Sequence, residues 1–246
     1  LKRVRSSARF SDLPEAIAMP ATSLPVEVIA FLRDLAKHNE RAWFNAHKQT
    51  YERDVQQPVL AFIEEIAPRL RKISRHLVAD PKKMGGSMMR IYRDTRFSND
   101  KRPYKTNVGI QFRHKEGKDV HAPGLYIHVE PGSVFLAAGM WRPEREALNA
   151  IREAIAEKPK AWVAARDHAP FKKLFTLKGD NLKRAPAGVA PDHPMIEDLR
   201  RTDFIAVRQL VEKDVTKASF ADNAAGAFGD ATPFMRFLCK AVGVEY

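Results

Sequence analysis

The run from Arg90 to Lys105 holds the densest set of chemically capable side chains in this sequence. Arg90, Arg93 and Arg96 recur at intervals of three, Ser98, Asn99 and Lys101 crowd a turn, and Tyr104 and Lys105 close the run. Guanidinium forks match carboxylate or phosphate oxygens two at a time, and a turn adds backbone N–H and hydroxyl donors. The pattern predicts a site for an anion. It suits equally a loop pinned by its own acids, because Asp94 and Asp100 stand among the same arginines.

Downstream, His128 and Glu130 lie two apart in a stretch of alternating character. On a strand they share one face, the face that would also carry Tyr92 and Tyr126. An imidazole beside a carboxylate suits proton transfer, so His128 and Glu130 are the catalytic candidates, and structural hydrogen bonding is the alternative. Asp192 and His193, on a later loop, are expected to be able to approach them. No H-E-x-x-H or other metal spacing occurs, so no metal is predicted, and no cofactor signature is legible. Gly85-Gly86-Ser87 lacks the P-loop spacing and reads as a strand-entry turn. The other histidines, His76 and His114 among them, are expected at the surface or at caps.

The elements that must position these groups follow from periodicity. Val28, Phe31, Leu32 and Leu35 predict a first helix, and Trp43, Phe44, His47 and Tyr51 a second. Val59, Ile63, Ile66, Leu70, Ile73 and Leu77 predict a third, kinked or divided by Pro68. After Gly86 the period becomes two, predicting strands over 88–94, 106–113, 125–130 and 134–140, the last pair joined by Pro131-Gly132. Met89, Ile91, Val108, Ile110, Phe112, Leu125, Ile127 and Val129 should face helices, and Arg90, Tyr92, Gln111, Tyr126, His128 and Glu130 the other way. Helices through Leu148 to Ile155, around Trp162, at 196–200 and through Phe237 should follow, with a strand over 204–208 and a long loop over 179–194. Helices lead, strands cluster and helices return, so the fold class is α+β, with a mainly antiparallel central sheet and helices packed on one face.

The chain of 246 residues has 42 Lys+Arg against 30 Asp+Glu, a formal net charge of +12. Eleven of those cations and three acids fall between Lys82 and Lys118, a local net of +8, so two-thirds of the excess sits around the arginine run. Tyr92, Tyr104, Tyr126 and Trp141 interleave with it, which is also the composition of a nucleic-acid surface. No apolar stretch approaches the roughly 20 residues of a spanning helix, so no membrane partner is expected. The one cysteine, Cys239, excludes an internal disulfide framework and suits a reducing, cytoplasmic setting. It is expected to be buried rather than nucleophilic. Residues 1–22 read as a flexible basic tail, with Asp12, Pro14 and Glu15 interrupting any amphipathic transit helix, and residues 23–246 as a single α+β domain. Met19-Pro20 raises the expectation that residues 1–18 are not native.

The run Arg90-x-x-Arg93-Asp94-x-Arg96-Phe97-Ser98-x-Asp100-Lys101-x-Pro103-Tyr104-Lys105 resembles the bacterial and fungal conserved hypothetical family known as domain of unknown function twenty-four sixty-one. Phe31-Leu32-x-x-Leu35, Trp43-Phe44, His128-x-Glu130-Pro131-Gly132, Trp141-x-Pro143 and Asp192-His193-Pro194 are similar as well. The resemblance spans about residues 24–243 as one domain and implies no activity. From the residues themselves, the expectation is a basic pocket on a polar sheet face for a phosphate- or carboxylate-bearing ligand. Its ligand-binding set is Arg90, Arg93, Arg96, Ser98, Lys101, Tyr104, Lys105, Tyr126 and Trp141. A nucleic-acid module and a structural or interaction protein are the alternatives.

Overall fold

The computed structural model describes residues 22–96, 98–117 and 121–246, so all but the last residue of the expected N-terminal tail lies outside the described residues. The chain enters through α1 (Val26–Lys37), which buries Val28, Ile29, Phe31, Leu32 and Leu35, the stripe expected of an amphipathic helix. The second expected helix is two, α2 (Arg41–Ala46) and α3 (Lys48–Tyr51). At the break His47 stacks on Trp43 and its Nδ1–H donates to the Trp43 carbonyl at 2.8 Å. A π-helical stretch, Glu52–Gln56, leads into α4 (Gln57–Ile73), the Gln57 N–H bonding to the Glu52 carbonyl. Pro58, just after the stretch, has no N–H for the α-helical ladder, and one wide turn absorbs the mismatch.

Two expectations for α4 change. It runs through Pro68 undivided, because Pro68 and Glu64, whose carbonyl loses its partner there, are both exposed to water. It also ends at Ile73: Leu77 is buried but lies beyond the helix, bridged to His114.

The sheet comprises β1 (Val108–Arg113), β2 (Gly124–Glu130), β3 (Ser133–Met140), β4 (Thr176–Lys178) and β5 (Phe204–Leu210) in the order β1-β2-β3-β5-β4, antiparallel throughout. β2 and β3 form a hairpin whose turn needs Gly132 at φ +83°. Between the strands come α5 (Arg145–Glu157), α6 (Pro159–Arg166), α7 (Ala169–Leu174) and the one-turn α8 (Ile196–Leu199). The chain closes with α9 (Glu212–Val215), α10 (Phe220–Asp230) and α11 (Thr232–Ala241). The fold is α+β. One hydrophobic core runs from Leu24 to Leu238 and takes in Val108, Ile110, Phe112, Leu125, Ile127, Val129, Val134, Leu136, Ala138, Phe204 and Ala206 from alternate strand positions. The remaining positions on those strands point to the opposite face.

The expected strand over 88–94 is not formed as such. Met88 bridges Ile110 at the edge of β1, with the Met89 N–H on the Gly109 carbonyl at 2.9 Å. The chain then bends, and Tyr92 bridges Tyr104 instead. Met88 and Ile91, three apart, are the buried pair, a spacing incompatible with one straight strand. Met89 lies consequently on the open face, its sulfur beside Gly109. Gly85, at φ +72°, and Gly86 make the expected turn, closed by Ser87 and Asp80.

Candidate functional site

The arginine-rich loop is knitted to itself. Arg93 and Arg102 share the Asp100 carboxylate, Arg102 Nη2 at 2.7 Å, and Arg96 grips Asp94 with Nη2 at 2.7 Å and Nε at 3.0 Å. The pairing with Arg96 holds the Asp94 carboxyl down to about 2, and Arg102 and Arg93 hold Asp100 lower still. Ser98 Oγ accepts the Asp100 N–H, and Lys101 Nζ donates to the Thr95 carbonyl at 3.0 Å. Tyr104 is buried at the loop's exit. Its ring stacks on Phe44 at 4.1 Å, and the Asn39 side chain both donates to its carbonyl and accepts its N–H. Arg93, Arg96, Ser98, Lys101 and Tyr104 therefore all have structural partners.

The concave surface lies beside the loop, on the open face of the sheet. A groove of about 440 Å³ is lined on one side by Lys105, Asn107, Gln111, Tyr126 and His128. Phe135, Ala137, Gly139, Trp141, Ile205 and Val207 line the other side, and Met89 adds to the wall. Cross-strand register explains the set: Gln111 pairs with Tyr126, Tyr126 with Ala137, and Ala137 with Val207, so one row crosses four strands. The neighbouring row, Gly109, His128 and Phe135, places the imidazole flat on the Phe135 ring at 4.5 Å.

Within the groove a polar chain runs along one edge. Thr106 Oγ1 donates to Glu130 Oε1 at 2.5 Å, Glu130 Oε2 lies 3.3 Å from His128 Nε2, and His128 Nδ1 lies 3.2 Å from the Tyr126 hydroxyl. Asn107 Nδ2 approaches Nδ1 at 3.5 Å. An amide nitrogen can only donate, so Nδ1 is the acceptor, Nε2 carries the proton toward Glu130, and the tyrosine hydroxyl donates to Nδ1. Burial makes His128 less basic than usual, with Glu130 opposing, and pushes Tyr126 up to about 12. Gly109 makes this possible: a Cβ there would stand 2.6 Å from the Tyr126 oxygen and 2.9 Å from the Met89 sulfur.

Lys105 is the exception among the loop's cations. It is half-buried in the groove, and its ammonium makes no hydrogen bond or ion pair among the described residues. Burial, aided by the Arg90 guanidinium, lowers its pKa. Arg90 itself is exposed and has no hydrogen bond or ion pair among the described residues. At the far rim Trp141 is 45% exposed, with Arg142 4.9 Å over its ring and His121 stacked on it. Arg142 adopts φ +46°, held by its N–H on the buried Asp203 carboxylate.

The structure thus brings Lys105, Tyr126, His128 and Trp141 to one groove, with Glu130 behind the histidine. It does not bring Asp192 or His193 there: neither lines the groove, and His193 Nδ1 accepts the Met195 N–H instead. Gln111 was expected on the polar face but not in the ligand set, whereas Asn107, Phe135, Ala137, Ile205 and Val207 were not singled out by sequence, and only register shows them converging.

His76 and His114, expected at the surface, are buried and stacked at 5.3 Å beneath Glu245. They adjoin an open hollow of about 670 Å³ between α4 and α11 that carries Arg71, Lys72, Arg75, Arg236 and Lys240. Arg71, Lys72 and Lys240 occupy last turns of helices, where cations offset the carbonyl end of the dipole. There His76 Nε2 lies 3.4 Å from Glu245 Oε2, but its Nδ1 has no hydrogen-bond partner among the described residues, so no chain continues through the imidazole as it does on the sheet. Cys239 is buried, and burial pushes its thiol up to about 12, as befits an unreactive core residue.

Among the described residues no group of three or more His, Cys, Asp or Glu is placed to hold a metal, and no helix is long and apolar enough to cross a membrane. No curated protein and no solved structure gives a significant match to this chain. Residues 27–237 match the model of a family described as Conserved hypothetical protein (DUF2461), a span that takes in the sheet, both sides of the groove and the helices as far as the middle of α11. The chain belongs to the DUF2461 family of conserved hypothetical proteins.

Proposed function

We propose that the groove binds a small anionic ligand, with Lys105 as its counter-charge, Arg90 drawing it to the mouth, and Tyr126, His128 and Glu130 moving a proton at it. The observation that carries this reading is Lys105: a half-buried ammonium facing a groove, with no acidic partner among the described residues. An ammonium deprived of water and of a counter-ion is costly to hold, and an anion arriving from solvent offsets that cost. The open cavity meets the size and mixed lining of small-molecule sites.

The chemistry follows from the tautomer. With Nε2–H directed at Glu130, His128 Nδ1 can take the hydroxyl proton of Tyr126 while the tyrosine oxygen takes a proton from the ligand. The charge then rests on an imidazolium beside a carboxylate, and Lys105 stabilises the anion left on the ligand. Arg93, Arg96, Ser98, Lys101 and Tyr104 act in this scheme by shaping the loop that delivers Lys105. The internal ion pairs of that loop favour a confined site over the open basic strip that a nucleic-acid surface needs. A lone, buried cysteine accords with a cytoplasmic setting.

Amide NMR mapping during titration with sodium acetate and with inorganic phosphate tests the reading. Shifts concentrated at Lys105, Asn107, Gln111 and Tyr126, and abolished by Lys105→Met, are the expected result. Shifts confined to residues 93–102, or none at all, would overturn it.

A further inference from the structure

The groove has two ends of different character, and their placement narrows the ligand. Resting on the reading above, we propose that it takes an organic acid with a single carboxylate, held at Lys105, and a compact apolar body laid across β3 and β5.

Three observations support this. First, the polar groups all belong to β1, β2 and the segment entering β1: Lys105, Asn107, Gln111, Tyr126 and His128. Beyond β2 the lining is Phe135, Ala137, Gly139, Ile205 and Val207, closed by Trp141. The row Gln111, Tyr126, Ala137, Val207 therefore passes from amide to phenol to methyl to isopropyl. At roughly 4.8 Å between strands, that row spans roughly 14 Å, of which the stretch from the Tyr126 ring to Val207 covers roughly 10 Å, about the length of an eight-carbon chain or a fused bicyclic ring.

Second, the floor is deep because its middle is made of small residues. Gly124 and Gly139 are direct cross-strand partners, and Ala137 is the next residue on the same face of β3. Gly139 is required by the backbone, since a Cβ there would meet the Phe204 carbonyl oxygen at 2.0 Å. Phe135, Ile205 and Val207 are half-buried there, and apolar surface left partly open to water is stabilised when an apolar ligand covers it.

Third, the charge balance suits one negative charge. Among the described residues Lys105 is the one cation lining the groove, Arg90 stands outside it, and the other donors lining it are neutral. Glu130 lies just behind His128, so a phosphate dianion would meet a carboxylate's repulsion with one ammonium to offset it. A carboxylate needs only that ammonium and one or two neutral donors.

Calorimetric titration of the full chain at neutral pH with acetate, octanoate, 2-naphthoate, inorganic phosphate and octan-1-ol tests the inference. Octanoate and 2-naphthoate should bind at least tenfold tighter than acetate, phosphate and octanol. Lys105→Met should weaken both acids at least tenfold. Val207→Thr, which keeps the shape but sets a hydroxyl in the apolar floor, should weaken them severalfold without changing acetate. Lys105-dependent binding of acetate or phosphate as tight as that of octanoate would overturn the organic-acid assignment and leave the anion site standing. Octanol binding as well as octanoate would overturn the carboxylate. No Lys105-dependent binding of any probe would overturn both readings. Because the comparison of probes uses the unaltered protein, a variant that fails to fold leaves the outcome readable.

Discussion

The loop over residues 93–102 and the groove on the sheet lie side by side, and both are rich in groups that attract anions. In the loop, each acid is closed on an arginine: Asp94 on Arg96, and Asp100 on both Arg93 and Arg102. In the groove, Lys105 has no acidic partner among the described residues, and a histidine, a tyrosine and a glutamate hold one another in a defined tautomer. The loop has more charge and less of it uncompensated. The difference teaches that charge density marks where the chain pairs with itself, whereas a missing counter-ion marks where a ligand is needed.

The two regions can be separated by perturbation. The largest expected effect is at the loop's anchor. Asn39→Ala removes both hydrogen bonds to the buried Tyr104 backbone and leaves its N–H and carbonyl unsatisfied, so stability should fall by about 2–4 kcal/mol in denaturant unfolding. A change below about 0.5 kcal/mol would show that the anchor is dispensable.

Next comes the groove. Gly109→Ala puts a methyl against the Tyr126 oxygen, with the Met89 sulfur as the more yielding neighbour, and should cost about 1–3 kcal/mol. Its signature is local: the His128 ring resonances should shift as the tyrosine bond is lost, whereas the Arg96 and Asp94 signals stay put. Unchanged His128 resonances would mean that Tyr126 does not set the imidazole.

The pH dependence should split the regions without mutation. Asp94 and Asp100 have depressed pKa values, so their contribution is present above the ordinary carboxylate value of about 4 and is lost as pH falls toward about 2 for Asp94 and lower for Asp100. His128 is also depressed, so the groove's neutral arrangement is stable above the ordinary histidine value of about 6.5 and is lost as pH falls through the lowered one. Tyr126 is raised, so its contribution holds below about 10 and is lost as pH climbs to about 12. Amide shifts of the groove should therefore move in mild acid before those of the loop, and a single shared midpoint would contradict the separation.

The smallest effect belongs to Arg96→Ala. Both side chains of that ion pair are open to water, where such pairs add little, so neither the melting temperature nor acetate binding should change measurably.

The arginine loop and the meander were legible because their signals are local. Alternation in 108–113 and 125–130 assigns Val108, Ile110, Phe112, Leu125, Ile127 and Val129 to the core correctly, and acids two residues from arginines announce local pairing. The apolar floor was hidden for the opposite reason. Ser133–Met140 is apolar on both faces, so its sequence shows no alternation that would reveal Phe135, Ala137 and Gly139 on the open side. β4, three residues long with exposed ends, carries no pattern to read. The bend after Met89 was missed because burial of Met88 and Ile91 follows neither a strand period nor a continuous helix. Gly109 gains its meaning only from lying across from His128 and beneath the Tyr126 hydroxyl, a fact of register and not of spacing.

The central claim is that Lys105 is a half-buried ammonium with no acidic partner among the described residues, held ready for an anion in the groove. Reductive methylation with ¹³C-formaldehyde gives each lysine its own dimethylamine signal, and these can be followed by NMR from neutral to alkaline pH with and without octanoate. The Lys105 signal should titrate below the ordinary lysine value of about 10.4, and octanoate should shift it and raise its midpoint. A Lys105 signal that titrates at the ordinary value and ignores octanoate would contradict the account.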